Sequence, residues 1–354
     1  MIRSSLIKKV FHFNFDARTS RGNMSSKTSW FIKLWNSNSP GQIGLGECGP
    51  LPGLSPDDRT DFEYLLADSL AKFCTGPLEM NRIIECVPAN LPSIRFGLET
   101  AVLDLLNGGK RLIYKNRFVE GVPVPINGLI WMSEPDSMIR QIDSKIMQGF
   151  RTIKIKVGSL DFSKECEVLQ YIRTRYANYG INLRLDANGA FNPGEALDKL
   201  NELARFSVHS IEQPIKPGST LMEQLCKQSP IPIALDEELI GVTDIQRKVD
   251  LLTRIKPHFI ILKPTLHGGL NSCREWIQLT EQHNVGWWMT SALESNIGLN
   301  AICQFTANNE VDLPQGLGTG LLYQDNFPSP LTVSGEEIRY DVNKGWDLTS
   351  LEDN

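Results

Sequence analysis

The sequence predicts an α/β protein built on a parallel (β/α) barrel, and three observations carry that expectation. From about residue 123, short apolar runs alternate with amphipathic stretches: 122–130 (VPVPINGLI), 152–158 (TIKIKVG), 182–189 (NLRLDANG), 209–215 (HSIEQPI), 232–239 (PIALDEEL), 259–265 (FIILKPT), 286–295 (GWWMTSALES) and 314–320 (PQGLGTG). Lys156, Asp186, Glu212, Asp236, Lys263 and Ser291 follow one another at spacings of 30, 26, 24, 27 and 28 residues. That is the length of a strand, a helix and two loops, and strands alternating with helices make parallel βαβ units. Eight such runs within about 200 residues, without a glycine-rich dinucleotide turn, fit a closed barrel better than an open sheet.

The first hundred residues have a different texture. Phe11, Phe13 and Phe15 alternate with His12, Asn14 and Asp16, the period of a half-buried strand. Residues 28–35 (TSWFIKLW) read as a second strand, and the Gly- and Ser-containing link 20–26 (SRGNMSS) as a mobile loop between the two. Residues 41–56 (GQIGLGECGPLPGLSP) read as a turn-rich loop. Helical patterns follow at 57–74 and at 94–106, where Ile94, Leu98, Val102 and Leu105 recur at helical spacing. After Tyr323, two short strand-like pieces, 331–333 and 338–340, are expected to pack back on the N-terminal part.

Composition narrows the class. The 354 residues are 41% hydrophobic, which supplies a core, and 36 basic against 41 acidic residues leave a net charge of −5. A phosphate-gripping nucleic-acid binder carries a basic excess, so that class is disfavoured. Seven cysteines, odd in number and never in a CxxC pair, suit a reducing compartment. Lys8, Lys9 and His12 interrupt the N-terminus before any signal-like apolar stretch, and no run nears the roughly 20 apolar residues of a membrane span. The expectation is a cytoplasmic protein with a small-molecule partner rather than a membrane or nucleic-acid one; nothing in the sequence sets an oligomeric state.

Side-chain parity locates the chemistry. In a barrel, alternate residues of each strand point inward, and those at the C-terminal ends reach the mouth. Lys154 and Lys156 share one face, as do Arg184, Asp186 and Asn188; Glu212, Asp236 and Lys263 each end a run. One charge at a strand end is ordinary solvation, but five in register, Lys, Asp, Glu, Asp, Lys, are not. Three carboxylates converging on one mouth need a cation. Hard oxygen donors without His or Cys suit Mg²⁺, with Mn²⁺ as a substitute. Lysines flanking such an ion are arranged to take a proton next to a substrate carboxylate. An EF-hand beginning at Asp186 fails, because Ala190 and Phe191 occupy positions that need an oxygen ligand and a glycine. The five histidines form no ligand-like pair, and Trp287 and Trp288 read as packing.

This series resembles the enolase superfamily, muconate-lactonizing subgroup, and within it the o-succinylbenzoate synthase family. The likeness is carried by 44–57 (GLGECGPLPGLSPD), 93–105 (SIRFGLETAVLDL), 184–191 (RLDANGAF), 212–215 (EQPI), 234–239 (ALDEEL), 262–269 (LKPTLHGG), 291–299 (SALESNIGL) and 316–326 (GLGTGLLYQDN). Lysine or histidine bases paired with Mg²⁺ are a known feature of enolase-superfamily sites. The resemblance implies a modified TIM barrel, (β/α)7β, over 121–324, and an α+β capping domain over 1–120 joined by 325–354. It implies Mg²⁺-dependent dehydration through an enediolate, with Lys156 as base and Lys263 stabilising the anion from the opposite face. Asp186, Glu212 and Asp236 would be the metal ligands, with Lys154, Arg184, Asn188 and Glu237 orienting them. Ser291, Ser295 and the backbone around Gly318 would meet the succinyl carboxylate, and the 20–26 link would be a lid. Rival readings within the subgroup are N-succinylamino acid racemisation and dipeptide epimerisation. An Asp-x-Asp at the eighth strand, typical of the epimerases, is replaced here by GLGTG. A non-catalytic metal-binding scaffold would not need the two flanking lysines.

Overall fold

The structure, a computed structural model, describes residues 1–19 and 22–352. The chain begins with an antiparallel sheet, β1 (Ile2–Thr19), β2 (Gly22–Asn36) and β3 (Ser39–Cys48), in the order β1-β2-β3. Three helices follow: α1 (Phe62–Cys74), α2 (Arg82–Cys86) and α3 (Pro92–Leu106). Apolar residues of α1 and α3, among them Leu66, Phe73, Leu98 and Val102, pack on Ile32 and Leu34 of the sheet.

Two expectations are corrected here. The hairpin is longer than the sequence suggested, since residues 22–26 belong to β2 and pair with β1 as far as Thr19 opposite Gly22. Ser20 and Arg21 of the expected lid lie outside the described residues. The supposed loop 41–56 takes in all of β3 but its first two residues, and the glycines of that strand hid it, because glycine is a poor strand former. Those glycines allow α3 to come close: a Cβ on Gly44 would lie 2.1 Å from the Ala101 carbonyl oxygen, and one on Gly46 1.8 Å from that of Gly97.

The barrel strands follow as β4 (Val124–Pro125), β5 (Gly128–Ile130), β6 (Thr152–Lys156), β7 (Asn182–Asp186), β8 (Val208–Glu212), β9 (Ile233–Leu235), β10 (Phe259–Leu262) and β11 (Gly286–Met289). The last seven form one parallel sheet in chain order. Around it lie α4 (Pro135–Met147), α5 (Phe162–Arg175), α6 (Ala196–Ala204), α7 (Met222–Gln228), α8 (Ile245–Ile255), the short α9 (Pro264–His267), α10 (Gly269–His283) and α11 (Asn296–Thr306). Gln315 and Gly316 close the ring, bridging in parallel to Ile126 on one side and Thr290 on the other. β4 and β5 are two pieces of the first strand and residues 315–316 are the eighth, giving (β/α)7β.

The tail divides. β12 (Leu331–Ser334) and β13 (Glu337–Tyr340) form a hairpin that pairs with β4, with Ile338 opposite Val124, so this part belongs to the barrel rather than the N-terminal sheet. Phe327, Trp346, Leu348 and Leu351 join Phe11, Phe13 and Phe31 of the first sheet instead. Alternation explains the split: Ile338 has an apolar face to bury and β4 has a free edge, which pairing satisfies. Among the described residues, no helix is long and apolar enough to cross a membrane.

Candidate active site

Barrel parity brings the strand-end charges to one place. Lys156, Asp186 and Glu212 are the last residues of β6, β7 and β8, and they stand side by side in register. Asp236 and Lys263 come one residue after β9 and β10. Asp186, Glu212 and Asp236 are fully buried, and each offers a carboxylate oxygen within 4.8 Å of the others.

Three ammonium groups face them. Lys154 Nζ lies 3.0 Å from Asp186 Oδ2 and also donates to Glu212 Oε2. Lys156 Nζ lies 2.5 Å from Asp186 Oδ2 and 2.7 Å from Asn188 Oδ1. Lys263 donates to Asp236 Oδ2 from the other side of the triad, across β7, β8 and β9. Asn188 donates to Glu237 Oε1 at 2.9 Å, and its backbone N–H donates to Asp186 Oδ1 at 3.0 Å.

The electrostatics follow from this sharing. Burial pushes Asp186 up, but Lys154 and Lys156 together hold it well below the usual carboxylate range. Glu212 has one lysine; burial, with Asp186 and Asp236 nearby, raises it to about 7. Burial works against the charge on Lys154, yet Asp186, Glu212 and Asp236 outweigh it and raise its pKa. The same balance, led after burial by Asp236, raises Lys263.

The donor set fits a hard divalent cation. Glu212 Oε1 and Asp236 Oδ1 are buried with no hydrogen-bond partner among the described residues, which is costly for a carboxylate oxygen unless something positive completes its shell. The lysines that bond Glu212 and Asp236 reach their other oxygens and leave these two unpartnered.

A cavity of about 1260 Å³ opens beside the triad. Lys154, Lys156, Asn188 and Lys263 line it at the barrel end, with Ser291 and Gly318 on the wall. Phe15, Met24, Leu51, Leu54 and Trp131 add apolar surface, and the Phe15 and Trp131 rings lie 5.0 Å apart. The β1–β2 hairpin and the turn after β3 therefore supply part of the cavity wall.

Two residues assigned to the site by sequence stand elsewhere. Ser295 is fully buried away from the cavity. Its Oγ donates to Glu47 Oε2 at 2.6 Å and accepts from the Ile297 N–H, capping α11. Arg184 points into the barrel below the triad, where Nη1 donates to the Pro314 carbonyl at 2.6 Å and the guanidinium lies 3.9 Å over the Trp288 ring. Parity put Arg184 on the inward face, but two residues below Asp186 an arginine meets barrel floor, and burial lowers it to about 10.

Other contributors were not singled out in the sequence. Gln213, held at φ 36°, accepts the N–H groups of Asp236 and Glu238 on one side-chain oxygen, each at 3.2 Å, and so fixes the turn that presents Asp236. His267 Nδ1 accepts the Lys263 N–H at 3.1 Å, and burial depresses the ring to about 3, keeping it neutral. Its position four residues after Lys263, in the same short helical turn, was the available signal.

Residues 137–349 match the family model described as Enolase C-terminal domain-like. The o-succinylbenzoate synthase of Desulfotalea psychrophila is 40% identical over 94% of this chain and 96% of its own length. That of Thermosynechococcus vestitus is 30% identical over 80% and 82%. The crystal structure of MenC from Desulfotalea psychrophila superposes with a TM-score of 0.83 at 37% identity, covering 96% of this chain and 99% of the other.

Proposed function

This chain belongs to the enolase C-terminal domain-like family, and on that footing we propose that it acts as an o-succinylbenzoate synthase. It dehydrates 2-succinyl-6-hydroxy-2,4-cyclohexadiene-1-carboxylate to o-succinylbenzoate, a step of menaquinone biosynthesis. The observation that carries the mechanism is the pair of lysines, Lys156 and Lys263, on opposite sides of three converging carboxylates.

Asp186, Glu212 and Asp236 are the residues that would hold Mg²⁺, with Mn²⁺ able to replace it. When bound, the ion would supply positive charge that stabilises negative charge developing on the substrate carboxylate. Lys156 takes the proton from the ring carbon that bears that carboxylate. The electron pair left behind forms the new ring double bond as the C–O bond to the 6-hydroxyl breaks. Lys156, now protonated, returns the proton to the departing hydroxide, which leaves as water. Lys263 keeps its positive charge over the opposite face of the ring and stabilises the anion. Lys154 holds Asp186 and Glu212 in place, while Asn188 and Glu237 position Lys156 and its neighbours. The apolar wall of Phe15, Met24 and Trp131 limits water around the reacting carbon. A cytoplasmic location belongs to the same proposal.

Racemisation of N-succinylamino acids would use the same two lysines to exchange a proton across one carbon. Dipeptide epimerisation has less support, since Gly318 and its neighbours supply no carboxylate for a substrate ammonium group. The test is turnover of the cyclohexadiene substrate beside a panel of N-succinylamino acids in D₂O with Mg²⁺. Dehydration is the expected outcome. Deuterium incorporation into the amino acids without dehydration would replace this function with racemisation, and Mg²⁺-independent inertness toward both would leave a scaffold.

A further inference from the structure

One residue of the Lys263 turn is bonded to that lysine twice. His267 closes the short α9, and its backbone N–H donates to the Lys263 carbonyl at 2.9 Å. Its ring then reaches back one helical turn, where Nδ1 accepts the Lys263 N–H at 3.1 Å. The ring is buried, and its other nitrogen, Nε2, has no hydrogen-bond partner among the described residues. A ring nitrogen that accepts carries no proton, so the proton of the neutral ring sits on Nε2. Burying that donor unpaired is unfavourable, and a leucine here would avoid it. What histidine adds at this position is the bond at Nδ1.

The Lys263 N–H needs such an acceptor. The register of β9 with β10 ends at Leu235 opposite Ile260, and β9 gives way to a 3-10 turn, Glu237–Leu239. The ladder therefore no longer serves the Lys263 N–H, and a buried N–H without a partner is rare for good energetic reason. Pro264 follows, with no N–H of its own, and favours the extended conformation of Lys263, at φ −130° and ψ 96°. The ring of His267 completes a backbone that Pro264 has already restricted.

That backbone carries an ammonium at the end of a flexible four-carbon stem. Lys263 lines the cavity, and its Nζ donates to Asp236 Oδ2. A small rotation at the lysine Cα is multiplied along the stem, and a misplacement of about 1 Å can lower a rate about a hundredfold. We propose that His267 is a positioning residue of the active site: by accepting the Lys263 N–H, its ring sets where the Lys263 ammonium stands. The proposal rests on the catalytic place given to Lys263 above. The turn has anchors besides the ring. Thr265 Oγ1 donates to Glu294 Oε1, and just beyond α9 the Glu99 carboxylate accepts the Leu270 and Asn271 N–H groups. Loss of the ring contact should therefore disturb the lysine more than the fold.

The test is a set of His267 variants of the full chain with Mg²⁺ present, with kcat and KM read separately. His267→Leu fills similar space without an acceptor and is expected to lower kcat about tenfold or more while KM changes little. His267→Asn sets its carboxamide oxygen near the place of Nδ1 and should recover most of that loss. His267→Gln carries its oxygen one bond farther, toward the place of Nε2, and should be as slow as His267→Leu. In a Lys263→Ala chain, His267→Leu should lower kcat no further, because the group it positions is gone. A residue that only supported the fold would lower kcat alike in both backgrounds.

Wild-type kcat in His267→Leu would overturn the proposal, as would equal kcat in His267→Asn and His267→Gln, or equal losses in the two Lys263 backgrounds. If His267→Leu fails to fold, the comparison of His267→Asn with His267→Gln decides by the same rule. Nitrogen NMR of the ring reads the contact without turnover. A bare Nδ1 and a protonated Nε2 are expected at neutral pH, and a proton on Nδ1 would overturn the proposal whatever the chain converts. Wild-type turnover reads the assigned function separately. The kinetic comparison is made on whichever substrate the wild-type chain converts, dehydration or N-succinylamino acid exchange, so failure of one conclusion does not pass for failure of the other.

Discussion

Lys156 Nζ stands 2.5 Å from Asp186 Oδ2, donated across two neighbouring parallel strands whose last residues pair in register. Under the proposed function, the amine that would take a proton and a carboxylate that would hold a cation share one contact. A cation held by Asp186 would compete with Lys156 for that oxygen, which would link metal loading to release of the base.

Replacing either lysine should be severe. Lys156→Ala and Lys263→Ala are each expected to lower kcat by roughly 10²–10⁴-fold under saturating Mg²⁺, the range for a positioned proton-transfer group. Steady-state dehydration kinetics provide the check. Full activity in either variant would refute the two-lysine mechanism.

Asp236→Asn should weaken Mg²⁺ binding by at least about tenfold, because even groups that merely orient a metal ligand commonly contribute that much. Far-UV circular dichroism should stay unchanged, and titration calorimetry gives the affinity. Equal affinity in variant and wild type would remove Asp236 from the ligand set.

Glu99, on α3, is buried against the start of α10, where its carboxylate accepts the Leu270 and Asn271 N–H groups. Burial raises it to about 7, above its ordinary value of 4.5. Between those two values the folded chain binds more protons than the unfolded one, so this group makes stability fall as pH rises from about 4.5 to 7. Glu99→Gln should flatten that part of the profile. Chemical denaturation of both proteins at pH 4.5, 6 and 7.5 measures it, and parallel profiles would contradict the assignment.

Gly46→Ala should cost about 3 kcal/mol or more, since the added methyl would lie 1.8 Å from the Gly97 carbonyl oxygen and the strand must move off α3. A melting-temperature comparison decides it. A neutral substitution would mean that β3 and α3 can separate freely.

The barrel and its charged mouth were legible because parity is a local property: Lys154 with Lys156, and Arg184 with Asp186, follow from counting residues along a strand. Depth was not legible, and so Arg184 was carried to the triad when it belongs to the floor with Trp288. β3 escaped notice because Gly44 and Gly46 serve the approach of a distant helix rather than strand propensity. Ser295 looked available in sequence because nothing local announces Glu47, nearly 250 residues away, as its partner.

The pairing of Ile338 with Val124 has a kinetic meaning. More than two hundred residues must leave the ribosome after Val124 before that edge of the first barrel strand acquires its mate, and loop closure over such a span is slow. During synthesis that edge of β4 would wait unpaired, a state that invites chaperone capture or aggregation. Changes at residues 331–340 should therefore show first as a lower yield of refolded chains and only later, if at all, as slower turnover.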